Sequence, residues 1–97
     1  MRISVKRTGG FAGLSEEVAS VDTELLNAAW AQRVEQMVRD ARLFDLPAHI
    51  PGRTIGADLL LYEMTITEGN RRHTVTFDED SPESAPLRSV VTALTQR

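Results

Sequence analysis

Apolar and polar residues alternate from the first positions: Ile3 and Val5 are set between Arg2, Ser4 and Lys6. A period of two predicts a strand with one apolar face. It runs into Gly9-Gly10-Phe11-Ala12-Gly13, a glycine-rich turn, and residues 14–21 read as the return strand. Alternation breaks down there, because Glu16 and Glu17 are adjacent, as are Val18 and Ala19. Such a break predicts a bulge or an edge position. Asp22 then reads as the N-cap of a helix. Its capping box is incomplete, since Leu25 stands where an acidic or amide side chain is needed, but Glu24 suits the first turn through the helix dipole. Leu26, Trp30, Val34, Met37 and Ala41 recur at spacings of three and four and predict a helix with one buried stripe, ending near Arg42. Leu43-Phe44-Asp45-Leu46-Pro47 follows as a short apolar exit that tucks under the core.

Residues 47–57 hold two prolines and two glycines and read as a loop. Residues 58–67 are the clearest strand, with Leu60, Tyr62, Met64 and Ile66 on one face. Gly69-Asn70 is a two-residue hairpin signal. Folding about it sets Ile66 opposite His73, Met64 opposite Val75 and Tyr62 opposite Phe77. The other face then pairs Thr65 with Thr74 and Glu63 with Thr76, and the tip pairs Glu68 with Arg71. One register satisfies both faces. Pro82 and Pro86 mark the start of a last helix, with Ser81 or Ser84 as cap, and Leu87, Val90, Val91 and Leu94 form its stripe. The expected fold class is α+β: a four-stranded antiparallel sheet with two helices packed on one face, in the order ββαββα.

Length and charge narrow the picture. The 97 residues make one small domain, 1–97, and 41% of them are hydrophobic, enough for a single core. The formal charge of −3 argues against a nucleic-acid binder. The chain has no cysteine, so it carries neither disulfides nor thiolate metal sites. No apolar run approaches a membrane span, and the charged start does not read as a secretory signal. A cytoplasmic protein is expected.

Candidate chemistry is sparse. His49 and His73 fall in no metal-ligand spacing; His49 reads as a solvated loop residue and His73 as a partly buried structural one. Asp78, Glu79 and Asp80 are adjacent, so their side chains diverge and read as a solvated strand end. The glycine turn lacks the phosphate-loop pattern. It reads as a hairpin with Phe11 folded back onto the core. The alternative carries Phe11 outward, flanked by Leu14, on a backbone that can approach another surface closely. Trp30 lies on the helix stripe and reads as core, and Arg71 and Arg72 as a solvated hairpin tip. No nucleophile, base and orienter assemble, so an enzyme is not expected, and neither is a cofactor or a metal.

Several stretches are similar to the emfourin family: Met1-Arg2-Ile3-Ser4-Val5-Lys6-Arg7-Thr8-Gly9-Gly10-Phe11-Ala12-Gly13, then Leu43-Phe44-Asp45-Leu46-Pro47, Gly56-Ala57-Asp58 leading to Tyr62, and Gly69-Asn70-Arg71-Arg72-His73-Thr74-Val75. The resemblance runs in order along nearly the whole chain. It implies a small protein inhibitor of a thermolysin-like (protealysin-type) zinc metalloprotease of the same cell, monomeric when free. Such proteases hold zinc at the floor of a cleft beside an apolar pocket. The candidate protease-binding residues are Gly9, Gly10, Phe11, Ala12, Gly13 and Leu14, with Phe11 or Leu14 filling the pocket. A secondary candidate loop carries His49, Ile50, Pro51 and Arg53, where the chain departs from the family pattern. The rival reading is a non-catalytic interaction module, an adaptor or subunit with no protease target.

Overall fold

In the computed structural model, which describes residues 1–9, 14–50, 60–78 and 82–95, seven principal elements follow one another. They are β1 (Arg2–Gly9), β2 (Leu14–Asp22), α1 (Ala28–Ala41), β3 (His49–Ile50), β4 (Leu60–Glu68), β5 (Arg71–Asp78) and α2 (Ala85–Thr95). The strands form one sheet in the order β2-β1-β4-β5-β3. The fold is α+β as expected, but the sheet has five strands rather than four and is mixed, because β3 pairs with β5 in parallel. The element order is therefore ββαβββα.

The second hairpin adopts the register that its alternation requires. Ile66 faces His73, Met64 faces Val75, Tyr62 faces Phe77 and Glu68 faces Arg71, with Thr65–Thr74 and Glu63–Thr76 on the other side. Gly69 takes a left-handed φ of 59° at the first central position of the turn. That conformation is open to glycine at little steric cost and matches the twist of the strands.

The first hairpin contains the bulge that its broken alternation predicts. Val5 faces Ala19 but Lys6 faces Glu17, which leaves Val18 as the additional residue. Without it Glu17 would fall on the buried face. With it Glu17 joins Lys6 on the open face and Glu16 pairs with Arg7. β2 is also an edge strand.

Ile3, Val5, Val21, Met64, Ile66, Val75 and Phe77 form the sheet side of the core. Val34 and Val38 of α1 and Leu87, Val90 and Leu94 of α2 close it from the same side. Phe77 is fully buried and stacks on Tyr62 with ring centroids 5.3 Å apart. The opposite face of the sheet is polar and uncovered; Arg2, Ser4, Lys6, Glu63, Thr65, Thr67 and Arg72 share it. No helix among the described residues is long and apolar enough to cross a membrane.

Three local expectations are corrected. Asp22 does not start the first α-helix. Its carboxylate accepts from the Glu24 amide at 3.0 Å and caps a separate 3₁₀ turn, Thr23–Leu25, while Asn27 caps α1 by accepting from the Trp30 amide at 2.9 Å. Within the expected 47–57 loop, His49 and Ile50 form β3 (residues 51–57 lie outside the described ones). The cause is a pair of anchors on β5. The Thr76 amide donates to the Ala48 carbonyl at 2.8 Å, and His73 Nε2 donates to the Leu46 carbonyl at 2.7 Å. The strand expected over 58–67 is described from Leu60 to Glu68. The exit after α1 behaves as expected: Leu43 is buried in a 3₁₀ turn, Leu43–Asp45, and Phe44 and Leu46 pack against the core. α1 ends at Arg42, which adopts a left-handed φ of 53°.

Candidate functional site

The β1–β4 ladder ends with Gly9 opposite Leu60, and the β1–β2 ladder ends with Gly9 opposite Leu14. Gly9 has a φ of 122°, a conformation that L side chains rarely adopt. Ile50 pairs with Phe77, and β5 stops at Asp78, opposite Leu61. The connections 10–13, 51–59 and 79–81 therefore all leave from the same end of the sheet. The primary and secondary candidate segments, far apart in sequence, are rooted side by side.

Directly inside that end, one row of residues crosses all five strands on the core-facing side. Glu16 faces Arg7, Arg7 faces Tyr62, Tyr62 faces Phe77 and Phe77 faces Ile50. Each neighbouring pair matches chemically. The Arg7 guanidinium donates to the Glu16 carboxylate. That carboxylate, and after it the Tyr62 hydroxyl, hold the Arg7 pKa above its ordinary value. Tyr62 stacks on Phe77 with 13° between the ring planes, and Ile50 is buried beside Phe77. One row nearer the end, the Thr8 hydroxyl donates to Ser15 at 3.2 Å. The row is a platform that fixes the ends of three connections.

The candidate residues divide accordingly. Gly10, Phe11, Ala12 and Gly13 lie outside the described residues, as do Pro51 and Arg53. Gly9 and Leu14 are the paired last and first residues of β1 and β2. Ile50 belongs to the core rather than to an exposed loop. His49 sits in a strand, exposed on the open face. The Thr76 hydroxyl donates to the Ala48 carbonyl at 3.1 Å, so its oxygen is left to accept from His49 Nδ1 at 2.8 Å. His73 is partly buried and hydrogen-bonded, the structural part expected of it. Of the acidic trio, Asp78 ends β5 and the other two lie outside the described residues.

The supporting row was not among the candidates. Its signal was present in Arg7 and Glu16, whose opposite charges flank the glycine turn at matched distances. The bulge lies beyond Glu17, so the register counted back from the turn already sets the two opposite each other.

No curated protein and no solved structure matches the chain. The family model described as Emfourin matches residues 5–94, a span that takes in most of β1, the other four strands, α1 and nearly all of α2. The chain belongs to the Emfourin family, a family of protease inhibitors.

Proposed function

We propose that this protein inhibits a thermolysin-like zinc metalloprotease by docking the loop-bearing end of its sheet at the active-site cleft. The carrying observation is the family match over residues 5–94. The sheet end adds physical support, since two connections carrying candidate residues depart from neighbouring strand ends above a cross-linked row. Preorganised ends lower the entropy cost of association. Phe11 or Leu14 supplies the apolar anchor for the pocket beside the metal. Gly9, Gly10 and Gly13 let the backbone pass close to it. The zinc is the protease's own.

The test is a titration of the purified protein against a thermolysin-like protease, with residual activity followed on a peptide substrate. Stoichiometric loss of activity, relieved by raising substrate, is the expected result. No loss at large molar excess of folded protein overturns the reading and leaves the adaptor function in its place.

A further inference from the structure

The open face of the sheet carries a hollow of about 210 Å³ on the side away from the helices. Two rows of the register build it. In one row Asp22 faces Arg2, Arg2 faces Thr67 and Thr67 faces Arg72. In the next, Ser20 faces Ser4, Ser4 faces Thr65 and Thr65 faces Thr74, so every member carries a hydroxyl. Arg2 and Arg72 stand two strands apart, roughly 10 Å by strand spacing, with Thr67 between them. Both line the hollow, together with Ser4, Thr65 and Thr67.

The charges of this face are unevenly matched. Lys6, at the other side of the hollow, lies between Glu17 and Glu63, and those two carboxylates offset it. Arg2 meets Asp22 at 3.9 Å, too long for a hydrogen bond, and the Asp22 carboxylate already accepts from the Glu24 amide. The donors of Arg2 therefore remain unspent. Arg72 faces no acid: its cross-strand neighbour is Thr67, and β3 runs beside β5 only at Thr76 and Phe77. Among the described residues no hydrogen bond or ion pair holds its guanidinium. This row is left with a net positive charge in a chain whose formal total is −3.

The donor set indicates the ligand. A carboxylate presents two oxygens, and a single guanidinium fork satisfies both. Two guanidiniums from opposite sides, with the hydroxyls of Ser4 and Thr67 between them, suit an oxyanion with three or more oxygens. We propose that the hollow over Thr67 binds a phosphate-class dianion, free or as a small phosphate monoester, between Arg2 and Arg72. The site lies at the end of β1 away from Gly9 and does not rest on the inhibitor reading above.

The test is an NMR titration of the full chain with inorganic phosphate, at a pH where phosphate is dianionic and at ionic strength held constant with chloride. Saturable shifts are expected at Arg2, Ser4, Thr67 and Arg72, with far smaller ones from acetate. Arg2→Gln/Arg72→Gln is expected to weaken phosphate binding roughly tenfold. Arg72→Gln alone, at an exposed position, carries the test should the double variant fail to fold. A parallel titration with glycerol phosphate separates the two sources: tighter binding than inorganic phosphate assigns the site to a monoester, weaker binding to the free ion. The proposal is overturned if phosphate gives no saturable shift beyond that of chloride, if acetate binds as tightly, or if the arginine variants bind phosphate like wild type.

Discussion

Gly9 faces Leu60 at the last pairing of the β1–β4 ladder. This pairing brings the turn after β1 and the connection before β4 to one end of the molecule. Sequence separation had kept them apart as two rival candidates. In the fold the residues that flank them, Gly9 and Leu60, are paired.

Phe11 in the first connection and Leu14 at the start of β2 are the proposed anchors. Replacing both with alanine is expected to weaken inhibition by roughly tenfold or more while the thermal unfolding profile stays close to wild type. Unchanged inhibition by the folded double variant would move the anchor to the connection at 51–59, where Arg53→Ala becomes the next variant to assay.

The Arg7–Glu16 pair is surface-bound, with side chains 37% and 60% exposed. Ion pairs of this kind contribute little to global stability, because solvent screens them. Arg7→Ala is therefore expected to leave the urea midpoint nearly unmoved. The same variant frees the ends of β1 and β2 on either side of the turn. Restoring that order on binding is expected to weaken inhibition roughly fivefold. A loss of stability without a loss of inhibition would assign Arg7 to the fold alone.

Legibility in the sequence followed the range of the interactions. The second hairpin was readable residue by residue, since a two-residue turn and two alternating faces admit a single register. The bulge was readable as a break in pattern, although its place, at Val18 between the Val5–Ala19 and Lys6–Glu17 pairs, was not. β3 was hidden because two residues carry no period. What makes it a strand is remote: the Ala48 carbonyl accepts from Thr76 and the Leu46 carbonyl from His73. The displaced helix start has a similar cause. Asp22 and Asn27 are both good caps, and only packing decides which one begins α1. Trp30 reads as core from its spacing, yet its ring borders an open groove, because the stripe of α1 is wider than the surface that α2 covers.

Arg42 closes α1 with a left-handed φ of 53°, the position that glycine commonly fills. A side chain there carries a steric cost of about 1–2 kcal/mol that glycine avoids, offset in part by the greater freedom of glycine in the unfolded chain. Arg42→Gly is expected to raise stability by about 0.5–1 kcal/mol, seen as a higher melting temperature in calorimetry. A lower melting temperature would show that the Arg42 side chain contributes more than its backbone costs.

Thr23 is buried where the chain leaves β2, and its hydroxyl donates to the Glu35 carboxylate of α1 at 2.6 Å. Its amide meanwhile donates to the Met1 carbonyl at 2.8 Å. The hydroxyl, chiefly, and Arg39 in addition favour the ionised carboxyl and hold Glu35 below the ordinary value of 4.5, against an opposing desolvation effect. A depressed folded-state value means that the unfolded chain binds the proton more readily. The stabilisation is therefore complete above about pH 4.5 and is lost as pH falls through the lower folded value. Thr23→Val keeps the shape and the amide contact but removes the hydroxyl. It is expected to cost about 1–2 kcal/mol at pH 7, the usual worth of a hydrogen bond to a charged group reduced for partial exposure. That cost should shrink as the pH is taken below 4.5, because protonated Glu35 no longer offers the charge. Urea denaturation of both proteins across this range reads the difference directly. Glu35→Gln, which keeps an acceptor without the charge, should show no such pH-dependent narrowing when combined with Thr23→Val. A Thr23→Val deficit that stayed constant from pH 7 to below 4 would mean that the hydroxyl acts by packing or through the Met1 carbonyl, 3.2 Å away, and not through the carboxylate.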